Sequence, residues 1–249
     1  MKLAGLLGTL AIAAGGFTVT TLPRPTFPGP AAAPAGPHRI VLVSSRQVGV
    51  GSAEPKTIDE VDPFRGLPPT MGFDTVNRLF VVFGKDGSTG RYLLAYDRGG
   101  HDLYGFDLKN YAWPPRIRPG DREFVYEQPV WAEETGGVLY VETAHSTYAS
   151  SSYGRNGYIT AIDLKTRRAL WRSPALVANA STFALAGRYL VTGYGFTAET
   201  DYVYLLDRAT GKVVDRLLVP NAPEQITRQG SLIRVRTYDH VVVVRVKGA

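Results

Sequence analysis

One pattern recurs along the chain: an apolar strand that ends in Asp, then a polar turn, then another strand. The pattern is found at 158–171 (YITAIDLKTRRALW), 202–212 (YVYLLDRATGK) and, more weakly, 103–110. Each copy follows a second apolar segment, and equivalent positions of these segments and of a fourth one are Tyr92, Leu139, Tyr189 and Leu232. All-strand repeats of about 45 residues are typical of β-propellers, in which each repeat folds into one small sheet, or blade. The sequence therefore predicts an all-β propeller of four-stranded blades.

The end of the last repeat predicts how the ring closes. This repeat stops after its third strand, near 241–246, and an open sheet edge would expose unpaired backbone groups. The isolated apolar segment 39–44 is expected to supply the missing strand and close the ring. Residues 45–76 are either a long loop, which gives four blades, or a degenerate fifth blade. We favour four.

The first residues predict export. Residues 1–20 contain one positive charge, a short apolar run and small residues near 13–16, as in a secretory signal peptide. The apolar run is shorter than the roughly 20 residues that span a bilayer, so no stable membrane span is expected. Residues 21–38 are rich in Pro and Ala and are interpreted as an extended linker. Residues 39–249 then form the propeller, located in the periplasm or outside the cell.

Composition excludes several classes of function. The chain contains no cysteine, which removes thiol catalysis, thiolate metal sites and disulfides. The net charge of +6 is spread over turns that also contain acidic residues. We see no basic stripe with aromatic partners, so nucleic-acid binding is not expected. The chain is expected to be a monomer.

The segment 158–171 resembles the repeat of bacterial quinoprotein-like (PQQ-repeat) propellers. The resemblance extends over 128–219, is weaker over 78–127, and implies the blade fold. In this family the Asp, Gly and Trp of the motif stabilise turns and contacts between blades. The family's dehydrogenases are longer, use adjacent cysteines against the quinone and carry calcium. Because this chain has no cysteine, a quinone cofactor is not expected, and Trp113, Trp131 and Trp171 are interpreted as packing residues.

Topology predicts one face for a site, because the loops that join second to third strands all emerge at the same end of a propeller. These loops are assigned to 97–102, 143–156, 193–201 and 238–240. They contain His101, His145 and His240, near Glu142, Glu199 and several Asp residues. Imidazole and carboxylate groups suit zinc or another first-row metal, so the three histidines are candidate metal ligands. The alternative is that they are ordinary polar turn residues. No other cofactor is predicted.

The same loops suggest ligand recognition. Residues 148–156 are rich in Tyr, Ser, Gly and Asn, a composition found in binding loops. The candidate ligand-binding residues are Tyr148, Tyr153, Arg155, Tyr194, Phe196 and Glu199. We therefore predict a non-enzymatic binding module for a protein, a glycan or a small ligand. The alternative is a hydrolase, either metal-dependent or using Glu142 and Glu199 as a carboxylate pair, which would need a separation of roughly 5 to 9.5 Å.

Overall fold

The computed structural model describes residues 18–50 and 61–248, and nearly all its regular structure is β-strand. The strands are β1 (Val19–Thr21), β2 (Ile40–Gln47), β3 (Pro69–Asp74), β4 (Leu79–Gly84), β5 (Gly90–Tyr96), β6 (Asp102–Asp107), β7 (Gln128–Thr135), β8 (Val138–Ala144), β9 (Tyr158–Asp163), β10 (Arg168–Arg172), β11 (Ala184–Ala186), β12 (Tyr189–Tyr194), β13 (Tyr202–Asp207), β14 (Val213–Leu218), β15 (Pro223–Gln229), β16 (Leu232–Thr237) and β17 (His240–Val246). Two 3₁₀ helices are present, Arg122–Phe124 and Ala149–Ser152. The predicted signal peptide falls almost entirely on residues outside the described part.

These strands form four sheets that follow one another along the chain. The first consists of β3 to β6, the second of β7 to β10, the third of β11 to β14, and the fourth of β15 to β17 with β2. Neighbouring strands within these groups pair antiparallel, and β1 adds a fifth, parallel strand beside β6. The predicted all-β fold with four-stranded sheets is therefore confirmed, and the arrangement is propeller-like.

The fourth sheet combines strands from opposite ends of the chain. Strand β2 pairs antiparallel with β17, from Ile40 opposite Val246 to Gln47 opposite His240. Asp215 on the neighbouring sheet fixes the start of β2, because its carboxylate accepts hydrogen bonds from the backbone N–H groups of Arg39 (2.6 Å) and Ile40 (2.7 Å). The pairing predicted for the segment 39–44 is thus present. Between β2 and β3, the described residues form only the isolated bridge Phe64–Leu67 and no further sheet.

Apolar layers lie between successive sheets. The layer between the first and second sheets contains Phe106 and Leu139, that between the second and third Ile159 and Leu190, and that between the third and fourth Val191 and Val242. The outer side of the first sheet has its own cluster, with Val81, Phe83, Tyr92, Leu94 and Tyr96 packed against Phe64 and Leu67. Strands such as β4, β8 and β12 are buried on both sides, which explains their continuous apolar sequences.

The repeated Asp closes the turn that follows it. Asp207 Oδ1 accepts hydrogen bonds from the Ala209 N–H (3.0 Å) and the Thr210 hydroxyl (3.1 Å), and its other oxygen pairs with Arg188. Asp163 holds Thr166 in the same way. Gly211 adopts φ +70°, a conformation that favours glycine. The motif therefore encodes a turn, as the resemblance implied.

The first sheet corrects the strand assignment made from sequence. The segment 91–96 was taken as a second strand, but β5 is the third strand of its sheet. Second and third strands are both apolar and buried on both sides, so their patterns do not distinguish them. The loop 97–101 therefore joins the third and fourth strands. It lies at the opposite end of the sheets from the other loops that the sequence grouped with it.

Two ends of the sheets can now be defined. The loop face carries the second-to-third-strand connections at 85–89, 145–157, 195–201 and 238–239, together with the links between sheets. The turn face carries the first-to-second-strand turns at 75–78, 136–137, 187–188 and 230–231. It also carries the third-to-fourth-strand turns at 97–101, 164–167 and 208–212, and the 247–248 end of β17.

The described part of the Pro-rich segment packs along the outer edges of the sheets. Leu22 is fully buried in the layer between the first two sheets. The Tyr158 hydroxyl donates to the carbonyl oxygen of Pro28 (3.1 Å), and Pro30 forms a bridge with Ala175. We call residues 18–38 the belt. Composition predicted the extended conformation of the belt but not these contacts. Proline removes backbone donors but leaves carbonyl oxygens free to accept hydrogen bonds.

Candidate functional site

Glu199 connects two long loops of the loop face. Its Oε1 accepts a hydrogen bond from the Ala149 N–H (2.7 Å), and its Oε2 accepts one from the Tyr194 hydroxyl (2.5 Å). Ala149 begins the 3₁₀ helix of the loop 145–157, whereas Tyr194 ends β12. Both carboxylate oxygens are thus used to hold one loop against the other.

An aromatic pair lies above this connection. The rings of Tyr148 and Phe196 meet edge to face, with centroids 4.9 Å apart and an interplanar angle of 81°. Tyr148 is 40% exposed and Phe196 is partly exposed. By contrast, Tyr194 is almost completely buried, and its hydroxyl serves Glu199. Of the predicted ligand-binding residues, Tyr148, Phe196, Glu199 and Tyr194 are therefore brought together, with Tyr194 beneath the surface.

Tyr153 extends the exposed surface, whereas Arg155 is only partly exposed and lies beside Gly29 of the belt. Tyr153 is 51% exposed and ends the 3₁₀ helix in the left-handed conformation (φ 51°). The guanidinium of Arg116 lies 5.6 Å from the centre of its ring. The Arg118 N–H donates to the Ser151 carbonyl (2.9 Å), which fixes the 108–127 connection against this loop. Sequence reasoning missed Arg116, because it considered only connections within a blade.

His145 is a buried structural residue. Its Nε2 lies 2.8 Å from the Ser152 hydroxyl, and its backbone N–H donates to Asn156 Oδ1 (2.8 Å). Burial lowers the pKa of His145 to about 4, so the imidazole is neutral at neutral pH. The side chain therefore braces the loop 145–157 from inside.

The three candidate metal ligands are not brought together. His101 lies on the turn face, where Nδ1 is 2.9 Å from Asp97. His240 lies at the loop face with Nδ1 2.6 Å from Asp239. Within residues 18–50 and 61–248, no group of three or more His, Asp or Glu side chains is placed to hold one ion.

Glu142 is fully enclosed. It lies two residues after Tyr140 on β8 and therefore on the same side of the strand, which faces the layer between the second and third sheets. Neither carboxylate oxygen has a hydrogen-bond partner among the described residues. Burial raises the pKa of Glu142 well above its usual range, because the charged form would be cut off from water.

A second buried acid lies where the second sheet meets the belt. Glu127 Oε2 accepts a 2.5 Å bond from Arg172, and both side chains are almost inaccessible. The Arg172 guanidinium stacks on Tyr158 (4.0 Å), Phe27 (4.6 Å) and Tyr111 (4.9 Å). Burial raises the pKa of Glu127 to about 7, and Arg172 opposes this shift. Residues this far apart along the chain carry no local signal, and sequence reasoning did not find them.

Comparisons with known proteins concern the fold alone. No protein-family model matches the sequence, and no curated protein is similar to it at a significant level. Among solved structures, it is similar to the computationally designed Ika8 protein (11% identity, TM-score 0.43, covering 72% of this chain and 45% of that one). It is also similar to BamB from Moraxella catarrhalis (13%, 0.38, 74% and 60%). A third is the C-terminal WD40 domain of Sif2 (12%, 0.44, 74% and 48%).

The chain thus spans between 45% and 60% of the length of these structures. Within the described ranges, no helix is long and apolar enough to cross a membrane.

Proposed function

We propose that this chain is an exported, monomeric and non-enzymatic β-propeller module. Its four sheets would form a four-blade ring closed by β2, with blades of the PQQ-repeat type and no quinone. It would bind a protein, glycan or small ligand through the loop face. The contact residues would be Tyr148, Tyr153, Arg155 and Phe196, with Tyr194 and Glu199 supporting them.

The observation that carries this proposal is the anchored aromatic pair of Tyr148 and Phe196. Exposed aromatic and Arg side chains contribute strongly to recognition surfaces, because they offer a large contact area with few rotatable bonds. Glu199 joins the loops beneath the pair through its two hydrogen bonds of 2.7 and 2.5 Å. A surface held in place before binding loses less conformational entropy when its partner arrives.

The polar groups that a hydrolase would need have other roles. Both oxygens of Glu199 are engaged in holding loops, and His145 is buried and bonded to Ser152. Glu142 is enclosed between two sheets. These placements favour binding over catalysis on the loop face.

A capture experiment tests the proposal. The protein is immobilised and exposed to envelope extracts and to a glycan array, beside the double variant Tyr148→Ala/Phe196→Ala. Removing two central aromatic contacts is expected to weaken capture at least about 30-fold, since even one such contact is worth about 2 kcal/mol. The control is Leu170→Ala, which also removes an exposed apolar side chain (55% exposed) but on the outer strand β10. Equal capture by the double variant and the control, with equal thermal stability, would rule out this surface.

A further inference from the structure

The turn face of the second, third and fourth sheets is strongly cationic. Third-to-fourth-strand turns contribute one group of basic residues, and the neighbouring turns and strand ends add others. Together they are Arg39, Lys165, Arg167, Arg168, Arg188, Arg208, Lys212, Arg228 and Lys247. In sequence these charges look scattered, but the topology places all of these turns at one end of the sheets.

The acids at this end of the three sheets are engaged within the protein: Glu134 pairs with Arg78, and Asp215 binds His38 and the backbone N–H groups at the start of β2. Asp207 is buried and paired with Arg188, and Asp163 is engaged by the Thr166 backbone and hydroxyl. Glu133 is half-buried near Arg208 and Arg228, which lower its pKa against the larger effect of burial. The exposed cations Lys165, Arg168, Lys212 and Lys247 form no ion pair with any described residue. Their charge is therefore available to an external partner.

An open groove at the rim of this face adds the exposed guanidinium of Arg168 to the cationic surface. It has a volume of about 720 Å³ and lies between the belt and β10. Its lining residues include the hydroxyl-bearing Thr20, Thr21 and Thr166 and the guanidinium-bearing Arg167 and Arg168. Arg167 already donates to the Thr18 carbonyl and the Thr20 hydroxyl, and the Thr166 hydroxyl donates to Asp163. Arg168 is therefore the guanidinium of this groove that is left to contact the phosphate oxygens of a partner.

The chain enters the described part from the same end. Strand β1 runs parallel to β6, which starts at the turn face with Asp102. Arg167 donates to the carbonyl oxygen of Thr18 (2.9 Å), the first described residue. The described part of the belt therefore begins beside a cationic turn of the second sheet.

We infer that the turn face docks on an anionic bilayer surface. Basic side chains near a membrane are attracted by its negative surface potential. The exposed aromatic side chains, Phe124, Tyr148, Tyr153 and Tyr238, all belong to the loop face. Among the described residues, the turn face thus presents no exposed ring on which bases would stack, which argues against a single-stranded nucleic acid. It instead exposes Val76, at 87%, an apolar side chain able to enter the interface. Docking in this way directs the loop face away from the membrane.

Charge-reversal variants of the full chain test this inference. The turn-face variant is Lys165→Glu/Arg168→Glu/Lys212→Glu. The control is Lys85→Glu/Lys109→Glu/Arg118→Glu, which makes the same charge change with exposed residues on the loop face. Both are titrated with phosphatidylcholine vesicles containing 30% phosphatidylglycerol (roughly a typical anionic mixture) and with pure phosphatidylcholine, at about 0.1 M salt. Any contribution of residues 1–17 is common to both proteins, so the ratio of their partition coefficients isolates the face.

The expected result is binding that needs phosphatidylglycerol and weakens with salt. Removing three basic contacts should lower the partition coefficient of the turn-face variant roughly 100-fold relative to wild type, with a much smaller loss for the control. Equal loss in the two variants, or equal partition on neutral vesicles, would overturn the inference. Binding to soluble polyphosphate with no partition on anionic vesicles would also overturn it and mark a general polyanion surface.

Discussion

The indole Nε1 of Trp171 donates a hydrogen bond of 3.0 Å to the backbone carbonyl of Arg208. Trp171 belongs to the outer strand of the second sheet, and Arg208 to a turn of the third. The same indole covers Gly211, where a β carbon would overlap the ring. The Asp, Gly and Trp of the repeat thus act together: two of them shape a turn, and the third docks the preceding sheet on it.

Adding one methyl group at this contact should therefore be costly. Gly211→Ala must place a side chain at φ +70° and also displace Trp171. Gly230→Ala is the control, because Gly230 has a similar φ of +62° but open space around it. We expect a loss of about 1 kcal/mol for Gly230→Ala and at least about 2 kcal/mol more for Gly211→Ala, measured by urea unfolding. Equal losses would contradict the proposed contact.

The belt should contribute to stability, although its composition resembles a spacer. Leu22→Ala removes a fully buried side chain from the apolar layer between the first and second sheets. This change is expected to lower the free energy of unfolding by about 2 to 5 kcal/mol. Thr26→Ala, an exposed position of the same segment, should change the free energy of unfolding by less than about 0.5 kcal/mol. Similar small effects in both variants would mean that the belt does not stabilise the sheets.

The protein should become more stable when Glu142 is replaced by an apolar residue. Folding buries its carboxyl group without a hydrogen-bond partner among the described residues. Glu142→Leu removes this penalty and is expected to raise the free energy of unfolding by about 1 to 3 kcal/mol at pH 7. Glu123→Leu, at an exposed position, is the control. A destabilised Glu142→Leu variant would reveal a partner for this carboxyl group.

His145 should make the protein less stable in acid. Its pKa is about 4 in the folded protein, against 6.5 for the free side chain, so the unfolded chain binds the proton more tightly. Stability due to this group is complete above pH 6.5 and is lost as the pH falls towards 4, by up to about 3 kcal/mol. His145→Gln should flatten the stability profile over that range in chemical denaturation. An unchanged slope would mean that the imidazole titrates normally.

Glu127, unlike His145, should make the protein less stable as the pH rises. Its folded pKa of about 7 exceeds the usual value of 4.5, so the folded protein holds the proton more tightly. Its contribution is greatest below pH 4.5 and decreases as the pH rises towards 7. Glu127→Gln should remove this slope, while lowering stability overall because Arg172 loses its charged partner. The slope, read from denaturation at a series of pH values, separates the two effects.

Part of this architecture could be predicted from particular residues. The Asp-containing turns at 163 and 207 predicted the sheets, and the missing strand after 246 predicted the pairing of 39–44. Apolar content did not distinguish the second strand of the first sheet from the third, because β4 and β5 are alike in burial. Only the order of the strands in the sheet tells them apart. The loop that contains His101 was therefore assigned to the loop face, although it lies on the turn face.

The candidate site shows the same limits. Loop equivalence correctly grouped Tyr148, Phe196 and Glu199, since neighbouring sheets present the same connections side by side. It did not reveal that Tyr194 lies below the surface or that Arg116 reaches Tyr153, because both depend on three-dimensional packing. Nor does a local pattern mark the pair Glu127–Arg172.

The pairing of Ile40 with Val246 has a consequence for biosynthesis. A ribosome releases β2 (Ile40–Gln47) long before its partner strand β17 (His240–Val246). Until then β2 remains an unprotected edge, and the fourth sheet cannot form however long the first three have existed. Contacts this distant along a polypeptide are slow to establish, because a large loop must close first. A chain without β17 would therefore leave the edge of β2 unpaired and the fourth sheet incomplete.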